Sequence, residues 1–421
     1  MITAEKNTMA QQAKKLMEQA DALAQFSADE GAITRAYLTP QHRAAHDQLA
    51  QWMREAGLET WQDSVGNQWG RKVSANPTQP TLILGSHSDT VTNAGKYDGN
   101  LGVLLAIETL AQLADEAFPF HIDVVAFADE EGTRFNTTLI GSSGVAGCFN
   151  PQWLNVKDAD GISMAEAMRT FGLDPNQAGC DARTAKETLA YLEVHIEQGP
   201  VLEAENLPVG VVTGIAGAKR FQCQVKGMAG HAGTVPVDLR HDALCGAAEM
   251  IIAIEKFAQQ NGIVATVGKC DVLPGAVNVI PGETRFTIDI RSLSQPSLEQ
   301  CTVDLLKQLT DIAHNRNLVF HHENIYQAEA VLCNVKLQQQ WANVKLQQQW
   351  ADVVETVTQI APRFLPSGAG HDGLAMTKLT DIGMLFVRCE KGISHNPREQ
   401  VMEADVLTAL SCFIEMVKRF R

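Results

Sequence analysis

One stretch, Gln79 to Ala128, constrains the fold more than any other. Gln79–Ser86 (QPTLILGS) is a short apolar run closing on a glycine and serine, as a buried strand does. Asn100–Glu116 (NLGVLLAIETLAQLADE) then spaces its apolar residues as a helix, behind a Gly-rich entry. His121–Ala128 (HIDVVAFA) returns to a β-branched strand. Strand, helix and strand at this separation predict a βαβ unit in a mostly parallel sheet.

The middle of the chain changes character. Arg220–Gly227 alternates like a half-exposed strand, and Asp238–Asn261 has the pattern of a long amphipathic helix. Ile263–Asp271 and Ala276–Arg291 read as strands around Pro-Gly turns, Leu298–Asn315 as a second helix, and Leu318–Tyr326 as a further strand. The order β-α-β-β-α-β is that of a ferredoxin-like layer. The expected fold class is therefore α/β. A mostly parallel-sheet domain is expected over 1–212 and 329–421, and an inserted α+β ferredoxin-like domain over 213–328. The 421 residues are ample for two or three domains.

A formal net charge of −15 argues against nucleic acid or an anionic membrane as partner. It leaves room for a small anionic substrate held by a local cationic cluster. Nine cysteines with no C-x-x-C pair suggest buried free thiols rather than a disulfide or zinc-ribbon framework. The first ~32 residues have the pattern of a polar amphipathic helix without an apolar signal core. No apolar run reaches the roughly 18 residues of a membrane span. The cytoplasm is the expected location.

Asn334–Ala342 and Asn343–Ala351 both read NVKLQQQWA. Nine residues rotate a helix by about 900°, half a turn beyond whole turns, so the two copies face opposite sides of one rod. The second copy continues into Val353, Val354 and Val357. Leu346 and Trp350 are the expected buried residues, and Trp341 the more exposed tryptophan.

Three stretches carry chemistry. Ser86–Asp98 (SHSDTVTNAGKYD) brings His87, Asp89 and Asp98 after the first strand. Asp129–Gly132 (DEEG) brings three carboxylates after the second. In Glu193–Gly199 (EVHIEQG), Glu193, His195 and Glu197 share one face of a strand. Singly, a strand-end histidine is more often structural and DEEG more often a solvated turn. Adjacent carboxylates after successive strands, with histidines beside them, favour a cation. His395 in GISHNP would on its own be a turn histidine.

Seven strings, GSHSDTVTNAGKYDGNLGV (85–103), VVAFADEEGTRF (124–135), EVHIEQGPVLE (193–203), GHAGTVP (230–236), NVIPGE (278–283), SGAGHDG (367–373) and GMLFVRCEKGISHNP (383–397), resemble the M20-type metallo-amidohydrolase superfamily. They are most similar to its allantoate amidohydrolases, followed by the N-carbamoyl-L-amino-acid amidohydrolases and β-ureidopropionases. The resemblance implies two divalent ions, Zn²⁺ or Mn²⁺, bridged by Asp98. His87 and His195 complete one site, and Glu131 and His395 the other. It implies Glu130 as general base and Asp89 as the partner that orients His87. It further implies a cis peptide after Asp98, His231 at the oxyanion, and Asn278 and Arg291 on the substrate carboxylate. Gln198 and His371 would be further substrate contacts. It also implies a homodimer in which His231 reaches the neighbouring site. The expected substrate is a small anionic ureido or carbamoyl compound. A dipeptidase and a metal-binding scaffold with a degenerate site are the competing readings.

Overall fold

A computed structural model describes residues 2–76, 78–332 and 341–420. Its larger unit falls within Met1–Thr213, Cys333–Leu365 and His371–Arg421, and the smaller one within Gly214–Leu332 and Pro366–Gly370. The second piece of the smaller unit departs from the single insert expected at 213–328. Ala216 donates its N–H to Ser367 O (2.9 Å), and Arg291 donates to Gly368 O (2.7 Å), which tie that piece in.

The larger unit is built on β1 (Glu59–Gln62), β2 (Gln68–Lys72), β3 (Thr81–His87), β4 (His121–Phe127), β5 (Thr188–Ile196), β6 (Val209–Ile215) and β7 (Ile382–Val387). These run in the order β1-β2-β4-β3-β5-β7-β6. The centre is parallel, β3 with β4 and β5 and β5 with β7, while β2 with β4 and β6 with β7 are antiparallel. Every residue of β3 and β4 is buried, which is why both read as continuous apolar runs rather than alternating ones. From β3 the chain moves to β4 on one side and later to β5 on the other. The carboxyl ends of β3 and β5 therefore form a topological switch point, where an open α/β sheet presents its ligand crevice.

The connecting helix α1 (Asn100–Gln112) buries Leu101, Val103, Leu104, Leu105 and Leu110. It is entered through Gly99 at φ +66°, where a Cβ would lie 2.5 Å from the His87 ring. The cis peptide expected after Asp98 is not found; among the described residues only Leu273–Pro274 is cis. Positive φ at Gly99 makes the turn instead.

In the helix α2 (Trp341–Thr358), Leu346 and Trp350 are buried, and the Trp350 ring lies 5.9 Å from Phe413. The second repeat copy thus faces the core. Most of the first copy, and the Trp341 side chain, lie outside the described residues.

In the smaller unit, Cys270–Leu273, Glu283–Ser292, Gly217–Lys226 and Val319–Ala328 form an antiparallel sheet in that spatial order. Helices Ala243–Asn261 and Gln295–Asn315 cover it through Met250, Ile254, Leu305 and Leu309 against Phe221, Phe286 and Ile288. The first helix starts at Ala243, not Asp238, because the Asp242 carboxylate caps Leu244 N and Cys245 N.

The cysteines are less uniformly buried than expected. Cys223, Cys301, Cys389 and Cys412 are buried and free, whereas Cys180, Cys245 and Cys270 are free on the surface. No described helix is long and apolar enough to cross a membrane.

Candidate metal centre

The ends of β3, β4, β5 and β7 deliver the candidate ligands to one place in the larger unit. His87 is the last residue of β3, and Asp98 lies in the loop between β3 and α1. Glu130 and Glu131 follow β4, His195 is the penultimate residue of β5, and His395 lies in the loop after β7. Asp98 is buried between two groups. Its Oδ1 faces His195 Nε2 at 3.2 Å and His87 Nε2 at 3.7 Å. Its Oδ2 faces His395 Nε2 at 3.1 Å, and the same nitrogen is 3.4 Å from Glu131 Oε1. Ligand atoms of His87, Asp98 and His195 lie within 4.8 Å of one another, and so do those of Asp98, Glu131 and His395. His87, Glu130 and Glu131 make a further such group.

Asp89 braces this arrangement from behind. Its two oxygens accept the backbone N–H groups of Glu130 (3.0 Å) and Glu131 (3.1 Å), which fixes the DEE turn. Its Oδ1 also lies 3.3 Å from His87 Nδ1. A donor at Nδ1 reserves Nε2, on the Asp98 side, for a cation. His195 repeats the device, with Nδ1 2.9 Å from Ile196 O.

The electrostatics demand positive charge here. Burial opposes ionisation of Asp98, but hydrogen bonds from His195, His395 and His87 outweigh it and hold the carboxyl well below its usual range. Burial likewise opposes a proton on His87 and His195, yet Asp89 and Asp98 push the first well up and Asp98 raises the second. His395 is pushed up to about 10 by Asp98 and Glu131. Burial, then repulsion from Glu131, raises Glu130 well above the ordinary carboxyl range. Burial and neighbouring acids do the same to Asp129 and Asp372. Imidazole and carboxylate donors shared across one carboxylate fit a pair of divalent cations.

The remaining candidates divide. Gln198, at φ +54°, donates to Asp98 Oδ2 and Ser394 Oγ, both at 3.1 Å. His371 is 1% exposed, its ring edge-on to His195 at 4.5 Å and 5.9 Å from Phe386. His231, Asn278 and Arg291 belong to the smaller unit. There His231 is exposed, accepts Gly233 N at its own Nδ1 (3.1 Å), and pairs across a short ladder with Val279, next to Asn278. Arg291 makes a two-pronged contact with Asp289, at 2.7 and 3.1 Å.

Sequence reasoning missed Glu399 and Ser394. The buried Glu399 carboxylate accepts Tyr97 N (2.7 Å) and Asp98 N (3.1 Å), and Ser394 Oγ donates to it at 3.0 Å. Burial and the Asp98 charge push Glu399 up to about 7. Gly95 makes room for it, since a Cβ there would lie 2.2 Å from the Glu399 carboxyl, but no sequence pattern announces that contact.

Comparison with known proteins agrees with this geometry. A family model described as peptidase family M20/M25/M40 matches residues 83–419. An N-carbamoyl-L-amino acid amidohydrolase of Geobacillus stearothermophilus is 40% identical over 89% of this chain and 90% of its own. An allantoate deiminase of Arabidopsis thaliana is 37% identical over 92% of this chain and 78% of its own. Among solved structures, an amidase of the hydantoinase/carbamoylase family from Burkholderia multivorans superposes with a TM-score of 0.86 at 30% identity, covering 97% of both chains.

Proposed function

The chain belongs to peptidase family M20/M25/M40 and is an amidohydrolase acting on a non-peptide C–N bond; from that premise we propose that it hydrolyses allantoate at a two-metal centre. Asp98 carries the reading, because one oxygen of a single buried carboxylate faces His87 and His195 while the other faces His395. His87 and His195 would hold one ion and Glu131 and His395 the second, with Asp98 between them. Zn²⁺ and Mn²⁺ both suit the donors. Bound there, the ions supply a water of lowered pKa and polarise the carbonyl.

Glu130 accepts the water's proton and returns it to the leaving nitrogen. Two observations support that role. Asp89 fixes the Glu130 backbone, and burial raises the Glu130 carboxyl well above the ordinary range, so it holds a proton more readily than an exposed carboxylate does. Glu131, beside His395, is then the ligand of the pair. His231 stabilises the oxyanion, and Asn278 and Arg291 take the substrate carboxylate. Gln198 steadies Asp98 on the substrate side. His371, its ring edge-on to His195, is a further substrate contact in this reading. One water is consumed, and ureidoglycine, ammonia and CO₂ are released. A homodimer is part of the proposal, and exposed apolar side chains of the smaller unit such as Val237 (80% exposed) and Leu239 (62%) support it.

The 40% identical Geobacillus relative favours a second reading, an N-carbamoyl-L-amino acid as substrate. A panel of allantoate, N-carbamoyl-L-alanine, N-carbamoyl-β-alanine and a dipeptide separates the two. The protein is first dialysed against chelator and then resupplied with Mn²⁺ or Zn²⁺. Allantoate should give the highest kcat/KM. A higher value for the carbamoyl amino acid transfers the assignment to the second reading, and turnover that survives without metal ends the metal reading.

A further inference from the structure

Arg35 is 1% exposed and lies behind the metal centre, outside every role assigned above. Its guanidinium donates from Nε to Ser88 O (2.8 Å), from Nη1 to Leu23 O (2.8 Å) and Phe26 O (3.3 Å), and from Nη2 to Asn100 Oδ1 (2.7 Å). Its own N–H donates to Thr90 Oγ1 (2.9 Å), and its carbonyl accepts Thr90 N (3.0 Å). Asn100 passes the link on, donating from Nδ2 to Asp98 O (3.0 Å).

Every acceptor of this guanidinium is a carbonyl or amide oxygen, an unusual end for a buried charge, which is ordinarily paired. Desolvation pushes Arg35 down to about 10, with Asp89 as the charge that works against this. The arrangement makes sense from what the fork joins. On one side is Ser88, between His87 and Asp89. On the other, through Asn100, is the turn carrying Asp98. The planar fork sets the distance between the two loops in a way a single ammonium cannot. The cation also attracts Asp89, whose carboxylate holds the Nδ1 side of His87 and the Glu130 and Glu131 N–H groups.

We propose that Arg35 is a positioning residue for the metal centre, locking the loop of His87 and Asp89 to the turn of Asp98. The proposal rests on the metal-centre reading.

The test strips the full-length protein with chelator and titrates Mn²⁺ against a chromophoric competitor. Wild type, Arg35→Lys and Asn100→Ala are compared with Leu16→Ala, a core variant away from the loops. Thermal midpoints without metal are measured for all four. Arg35→Lys and Asn100→Ala should need at least tenfold more free Mn²⁺ for half occupancy. Leu16→Ala should lose thermal midpoint but bind Mn²⁺ as wild type does. Lowered midpoints with wild-type Mn²⁺ affinity in the first two variants overturn the proposal and leave Arg35 a role in folding only. Should Arg35→Lys not fold, Asn100→Ala decides alone, because it cuts only the arm toward Asp98. A wild type that takes up no Mn²⁺ removes the metal-centre reading itself, and the proposal with it.

Discussion

Two groups of buried histidines in the larger unit hold protons in opposite ways. His42 and His46 pack with ring centres 4.0 Å apart, and both are fully buried. Burial pushes His42 well down and His46 down to about 3, and the charges of Arg35 and Arg43 push the same way. His87 and His195 are as deeply buried, yet they are raised, as is His395. Desolvation acts on all four buried rings alike. The sign of the neighbouring charge decides the outcome, guanidinium on one side and carboxylate on the other. Burial alone therefore does not tell a core histidine from a ligand; the anion beside it does.

Removing that anion breaks the contrast most completely. Asp98→Asn should lose both ions and all measurable turnover, read by metal analysis of the purified protein together with the allantoate assay. A variant that keeps two equivalents of metal would detach Asp98 from its bridging role. A smaller effect sharpens the division of labour between neighbours. Glu130→Gln should retain metal and lose roughly 10²–10⁴-fold in kcat, whereas Glu131→Gln should lose metal. Equal metal loss in the two variants would reverse or abolish the assignment. Smaller again, Asp89→Asn keeps the shape but not the charge. It should weaken metal affinity by about 10–100-fold, the usual cost of losing a partner that orients a ligand. Unchanged affinity would show that the backbone contacts of the loop suffice.

The contrast also marks what could be read along the chain. β3 and β4 are buried on both faces, so their continuous apolar runs stood out, and the ligand loops follow directly from where those runs stop. His395 was legible only by resemblance, since its turn carries no pattern of its own. Arg35 and Glu399 were not legible at all. Arg35 reaches Asn100 across 65 positions, and Glu399 reaches Tyr97 across 302. No local period encodes contacts of that span. His371 was legible as a candidate only through its string, and the fold packs its ring edge-on against His195. A motif gives residue type and order, but the packing that sets this ring against His195 of β5 and Phe386 of β7 is seen only in the fold.

The smallest predicted effect concerns the neutral pair. Ser88 Oγ spends its one hydrogen on Phe127 O (2.9 Å), so the 2.7 Å contact with His46 Nε2 requires the N–H on the histidine. The ring is thus built in as a neutral donor. Its pKa of about 3 in the folded chain lies below the ordinary 6.5, so between those values the unfolded chain binds the extra proton. The contribution to stability is complete above 6.5 and is lost as pH falls toward 3. Between pH 7.5 and 5.5 this amounts to about 1 kcal/mol. Asp63 opposes it. Burial pushes that carboxyl up to about 6, so the folded chain takes up its proton first and gains stability over the same interval. The net slope of the wild type therefore does not isolate the histidine, but a difference between two proteins does. His46→Gln keeps an amide donor for Ser88 and removes the titration. Urea unfolding of both proteins at pH 7.5 and 5.5 should show the wild type losing about 1 kcal/mol more than the variant. Parallel losses would mean that the folded chain protonates His46 as readily as the unfolded chain does. The opposition between the two histidine groups would then reduce to the carboxylates around Asp98 alone.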